Sequence, residues 1–185
     1  MLAIVVTVDK DLQGGILMSK VAVLVTDLVE DVEYTAPVEA LKKAGHTITT
    51  ISPAGKTVVT GKHGTEIKVD KNINEVQPTA FDALLLPGGF SPDQLRADEA
   101  FVAFTKHFLL ADKPLFAICH GPQLFIQTGL VKGRELTAYQ TVQSDLYYAG
   151  GVVRDEPVVT DHNLITSRTP DDIPAFNNAI VNALA

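Results

Sequence analysis

The stretch Pro114-Leu115-Phe116-Ala117-Ile118-Cys119-His120-Gly121-Pro122 decides the fold. An apolar run that follows a proline and stops at Cys-His-Gly-Pro reads as a buried parallel strand delivering its last residue into a tight turn. Pro122 suits the first position of a helix, where its missing N–H costs nothing. Gln123 to Gln127 continue with helical character until Gly129 stops them. Strand, cysteine and helix in that order form a nucleophile elbow, a sharp turn that lifts one side chain over the carboxyl edge of a sheet. A thiol placed there lies near the unpaired N–H groups of the following helix, so its pKa is expected to fall below the free value of about 8.5. A lone cysteine is ordinarily a small buried hydrophobe, but the turn chemistry around Cys119 argues for a reactive role.

The flanking sequence repeats the alternation. Val21 to Thr26 is an unbroken, β-branched run suited to a central parallel strand, and Asp27 to Asp31 make a polar loop. Val32 to Ala44 is helical, with Pro37 near its start and Gly45 as its stop, and His46 to Ser52 alternates as a second strand. Between Pro53 and Gln77, short Val, Thr and Ile stretches broken by Gly55, Gly61 and Gly64 read as small hairpin strands. Ala83 to Leu86 resumes the parallel sheet and runs into Pro87-Gly88-Gly89, where backbone N–H groups can approach a ligand closely. Further helices are expected over Asp98 to Ala111 and Val142 to Ala149. Strands are expected near Glu135 to Ala138, at Val152-Val153, at Pro157 to Thr160 and at Leu164 to Thr166. Thr169 and Pro170 are expected to open a last helix. The pattern predicts one α/β domain, a flavodoxin-like doubly wound sandwich with a mainly parallel sheet and helices on both faces.

Composition narrows the function. The 185 residues carry 15 Lys and Arg against 22 Asp and Glu, a formal charge of -7, which opposes a nucleic-acid surface. One cysteine excludes an internal disulfide, no Cys-x-x-Cys or His-x-x-x-His spacing offers a zinc site, and a reducing cytoplasm is the expected location. Neither a cofactor nor a metal is expected. Met1 to Val6 is apolar, but the run is too short to span a bilayer and lacks a signal peptide's flanks. Gln13-Gly14-Gly15 can be encoded by a bacterial ribosome-binding sequence with Met18 at the usual spacing. Residues 1–17 are therefore expected to be a translated leader or extra N-terminal segment, with the domain spanning 18–185.

A cysteine nucleophile needs a base, oxyanion donors and an orienting group. His120 follows Cys119 directly, and Gly89 and His120 can offer backbone N–H groups beside Gly88. Glu30, Asp31 and Glu33 crowd the first strand-to-helix loop. A carboxyl among them that turned inward would be desolvated and protonated, donating to sulfur, but the residues alone do not choose between the three.

The segments Val29 to Pro37, Gly61-Lys62-His63-Gly64, Leu86 to Gly89 and Ile118 to Gln123 together resemble the PfpI branch of the ThiJ/PfpI superfamily, with the likeness running from Met18 to the C-terminus. The resemblance implies Cys119 as nucleophile, His120 as its partner, Glu33 as the carboxyl against sulfur, and the N–H groups of Gly89 and His120 as an oxyanion hole. In protease-like members a neighbouring subunit supplies a glutamate after the Gly-Gly turn. The corresponding residue here is Asp93, one methylene shorter, and a homo-oligomer from dimer to hexamer is implied. The same resemblance implies a stress-response hydrolase acting on a small carbonyl compound or its glycated adducts. Its rivals are an intracellular peptidase taking a peptide substrate, and a redox-sensing or chaperone-like protein.

Overall fold

A computed structural model describes residues 18–185. The expected leader at residues 1–17 lies outside the described residues. The first half of the domain runs β1 (Lys20–Leu24), α1 (Asp31–Lys43), β2 (Thr47–Ser52), β3 (Val58–Thr60), β4 (Glu66–Lys68), β5 (Lys71–Asn72), β6 (Ala83–Leu86), α2 (Ser91–Leu95) and α3 (Glu99–Leu110). The second half runs β7 (Leu115–Ile118), α4 (Gln123–Thr128), β8 (Glu135–Leu136), α5 (Gln140–Tyr148), β9 (Val152–Val153), β10 (Val158–Asp161), β11 (Leu164–Ser167) and α6 (Ile173–Asn182).

The main sheet has the order β10-β11-β7-β6-β1-β2-β5, and all its pairings are parallel except β10 with β11. Its inner five strands, β2-β1-β6-β7-β11, follow the flavodoxin order, in which the chain reverses direction across the sheet beside β1 and β6. Both faces are covered, which is why these strands read as continuous apolar runs. Leu84, Leu86, Leu115 and Ala117 pack with Phe101, Phe108 and Leu124 on one face. Leu85, Phe116 and Ile118 pack with Phe176 and Ile180 on the other. Successive side chains alternate between the two layers, so Phe116 and Leu115 serve different cores one residue apart. Each fully buried Leu, Ile or Phe among them contributes about 1.5–3 kcal/mol.

Three expectations need correction. Pro37 lies inside α1, not near its start, because the helix begins at Asp31. Having no N–H, Pro37 leaves the Glu33 carbonyl without its helical donor. The segment after Pro53 is only partly hairpin: β3 and β4 pair antiparallel, whereas β5 extends the main sheet parallel to β2. Thr169 precedes a 3-10 turn, Pro170–Asp172, and its side chain does not cap it. The turn is closed through Asp172, which also binds Arg168.

Candidate active site

Three loops meet beyond the carboxyl ends of β1, β6 and β7, and each places one kind of group. After β7 the chain turns through Cys119 at φ +61, a left-handed conformation that a non-glycine residue adopts at a cost of about 1–3 kcal/mol. Surrounding hydrogen bonds hold it there. The Cys119 N–H donates to the Ser167 carbonyl at 3.0 Å, and the Cys119 carbonyl accepts from the Tyr139 N–H at 2.9 Å. Gly121 makes the turn possible because a Cβ at that position would collide with the Leu86 carbonyl.

After β6, Gly88 and Gly89 bring bare backbone against the sulfur. A Cβ on Gly88 would lie 2.5 Å from Glu33 Oε2, 2.8 Å from the His120 nitrogen and 2.9 Å from Cys119 Cβ. Gly89 has φ +70, and a side chain there would strike the loop from Leu28 to Glu30. The backbone N–H groups of Gly89 and His120 lie beside Cys119 and oppose the rise in its pKa.

After β1, the first turn of α1 aims Glu33 inward, where it is fully buried. Its Oε2 accepts the Gly88 N–H at 2.9 Å, and the carboxyl lies beside the Cys119 thiol. Of the three carboxylates left open by sequence, only Glu33 faces sulfur. Asp31 accepts from the His63 and Thr65 N–H groups, each at 2.8 Å, and so ties down the turn from Gly61 to Thr65. Glu30 lines the edge of the pocket instead, receiving Lys62 Nζ at 3.3 Å and His63 Nε2 at 2.9 Å.

Burial raises the Glu33 carboxyl from the ordinary 4.5 to about 8, against the opposing hydrogen bonds from Cys119 and Gly88. Below that pH the carboxyl is a proton donor. Burial also pushes the Cys119 thiol up, with the charge of an ionised Glu33 adding to it. The expected fall is therefore corrected. α4 has only six residues and little dipole to offer, while the sulfur is shut away from water beside a carboxyl. Glu33 and Cys119 titrate as a pair, and the second proton leaves only well above the first.

His120 Nδ1 lies 3.3 Å from Cys119 Sγ. Burial lowers the imidazole pKa and the charge of Lys62 lowers it further, whereas Asp93 opposes them. At neutral pH the ring is a neutral acceptor. It is stacked on Tyr139 with ring centroids 5.0 Å apart and planes 25° apart, a contact the sequence reading missed. Asp93 lies on α2 and pairs with Arg96 at 2.9 Å. Within one chain, no hydrogen bond joins it to His120 among the described residues.

Cys119, His120, Glu33, Gly89 and Tyr139 line a partly open pocket of about 320 Å³, with Lys62 at its rim. Glu30, Asp31 and His63 come close enough together to be considered as metal ligands, but the two Asp31 oxygens are engaged by backbone N–H groups. Among the described residues, no helix is long and apolar enough to cross a membrane.

A five-stranded flavodoxin order with a cysteine at the elbow, a buried carboxyl against its sulfur and a Gly-Gly turn beneath it defines the class: an α/β domain with one cysteine set at the carboxyl edge of its sheet. The family follows from comparison. The model described as the DJ-1/PfpI family matches residues 19–183, and the chain belongs to that family. Among its relatives, "Putative cysteine protease YraA" of Bacillus subtilis is 52% identical over 165 residues, covering 89% of this chain and 98% of that protein. Protein/nucleic acid deglycase 2 of Escherichia coli is 52% identical over 167 residues, covering 89% and 97%. A solved two-domain protein from Anabaena variabilis, with DJ-1/ThiJ/PfpI-like and ferritin-like domains, superposes with a TM-score of 0.87 at 35% identity. The match covers 90% of this chain and 48% of that one, so this chain spans about half its length.

Proposed function

We propose that the protein is a cysteine-dependent hydrolase of the PfpI type that acts on reactive carbonyls or their glycated adducts. The observation that carries this reading is the enclosure of Cys119 Sγ between His120 Nδ1 at 3.3 Å and the N–H groups of Gly89 and His120, in a pocket of about 320 Å³. That volume suits a small molecule better than an extended peptide, which needs an open groove. The names of the relatives, a deglycase and General stress protein 18 of Bacillus subtilis among them, support the same reading.

For a 2-oxoaldehyde the steps are these. Cys119 gives its proton to His120 and attacks the aldehyde carbon, and the developing oxyanion is held by the Gly89 and His120 N–H groups. Protonating that oxygen gives a hemithioacetal. Moving the proton of the attacked carbon to the neighbouring oxo carbon, through a base in the pocket, converts it to the thioester of a 2-hydroxy acid. Water then splits the thioester, releasing the hydroxy acid and restoring the thiol. The protonated Glu33 keeps negative charge away from the sulfur while these steps proceed.

The test is parallel turnover of methylglyoxal, a glycated thiol and a fluorogenic peptide by wild type and Cys119→Ala. Turnover of either of the first two that disappears in Cys119→Ala is expected. Turnover of the peptide alone would make the protein a peptidase. Peroxide sensitivity of Cys119 with no turnover at all would make it a redox sensor.

A further inference from the structure

Among the described residues that line the pocket, Lys62 is the only lysine or arginine. Its position is fixed by the fold. The Lys62 N–H donates to the Val29 carbonyl at 2.8 Å, and the turn around it is held by Asp31, whose carboxyl fills the space that a side chain on Gly61 would need. The charge faces the reacting groups, since it lowers the pKa of both His120 and Glu33.

The charges around it leave Lys62 free to act on a ligand. Glu33 is neutral below about pH 8, and His120 is neutral at pH 7. Asp93 is paired with Arg96. Among the described residues, Glu30 is the remaining anion at the pocket, and it has two partners on different oxygens. His63 holds Oε1 at 2.9 Å, while Lys62 reaches Oε2 only at 3.3 Å. Glu30 also sits at the N-cap of α1, where the helix terminus favours a negative charge. It can therefore lose Lys62 at little cost. Lys62 is more than half exposed and uses one of its three N–H donors.

We propose that Lys62 is the specificity residue of this pocket and selects carbonyl substrates that carry an anionic group, a carboxylate or a phosphate. Lys62 leaves Glu30 for that group and so presents the carbonyl carbon to Cys119. The proposal rests on the carbonyl reading above, but its charge selection can be measured without turnover.

Iodoacetate and iodoacetamide alkylate a thiol by the same displacement and differ chiefly in charge. The ratio of their rates at Cys119 reports the pocket's preference for anions, and any change in thiol ionisation cancels from it. In wild type this ratio should exceed the ratio for the same cysteine in the urea-unfolded chain. Lys62→Met should lower it about fivefold, within the range set by a partly exposed ion pair, and Lys62→Arg should restore it. A ratio unaffected by Lys62→Met, or a variant in which both reagents slow equally, would overturn the proposal. If alkylation behaves as expected, the preference in turnover for dioxovalerate, a 2-oxoaldehyde bearing a carboxylate, over the uncharged methylglyoxal should fall in Lys62→Met by a similar factor. An unchanged preference between these two substrates would also overturn it. If wild type turns over neither compound, the carbonyl reading fails, and the alkylation ratio alone decides whether Lys62 selects anions.

Discussion

Glu33 Oε2 accepts the Gly88 N–H at 2.9 Å, while its Oε1 is buried with no hydrogen-bond partner. One oxygen is thus fixed by backbone and the other is buried without a donor, which favours the protonated carboxyl. A carboxyl used in this way works only while it remains protonated, and the consequences can be measured.

The first concerns stability against pH. Glu33 titrates at about 8 in the folded chain and near 4.5 when unfolded. Below pH 4.5 both states are protonated and the folded state keeps its full stability. As pH rises towards 8 the unfolded chain ionises first, and stability falls. The loss is on the order of a few kcal/mol. Glu33→Gln cannot ionise, so it should lack most of this slope. Chemical denaturation of both proteins at pH 5, 6.5 and 8 measures the difference, and parallel slopes would show that Glu33 is ionised in the native state.

The paired titration gives a second expectation. The iodoacetamide rate at Cys119 should rise in two steps with pH in wild type, the upper one well above the free-thiol value of about 8.5. Glu33→Gln should show a single step lying below that upper one, because the charge that holds the thiol up is gone. Identical profiles would remove Glu33 from contact with the sulfur.

Gly88 has no room for a methyl group between Glu33 Oε2, the His120 nitrogen and Cys119 Cβ. Gly88→Ala should cost about 1–3 kcal/mol of stability through overpacking. It should also lower turnover at least tenfold by displacing all three groups from one another. Calorimetry and steady-state kinetics check the two parts. Wild-type turnover in Gly88→Ala would mean that the close approach is not needed.

Asp93 tests assembly. If a neighbouring subunit's Asp93 orients His120, Asp93→Asn should cut turnover about a hundredfold. Stability should change by less than about 1 kcal/mol, since its pair with Arg96 is partly exposed. Mixing Asp93→Asn subunits with Cys119→Ala subunits should recover activity by placing an intact Asp93 beside an intact Cys119. A mixture that stays inactive, or full activity in Asp93→Asn alone, would assign Asp93 to α2 only.

The layered sheet was legible because strands buried on both faces carry their signal locally, as in Leu84 to Leu86 and Leu115 to Ile118. The elbow was legible for a similar reason, since strand, cysteine, glycine and proline are consecutive. Groups that meet only through the fold were not. Tyr139 stacks on a histidine 19 positions earlier, and β5 takes its parallel place from β2, not from a neighbour in sequence. The direction of the thiol shift was misread because the helix after Cys119 is visible in the sequence, whereas the desolvation beside Glu33 exists only after packing. Lys62 belonged to a recognisable segment, but its place at the pocket rim depends on hydrogen bonds that Asp31 accepts from residues 32 and 34 positions later.

The strained backbone of Cys119 is clamped by Tyr139 on one side and by Ser167 at the end of β11 on the other. The Ser167 anchor belongs to the central sheet, but Tyr139 lies outside it, and losing Tyr139 would let the turn relax without melting the sheet. The elbow should then behave as a thermal fuse. On slow heating, Cys119 loses its selective reactivity while far-ultraviolet circular dichroism still reports a folded sheet, and on cooling both return.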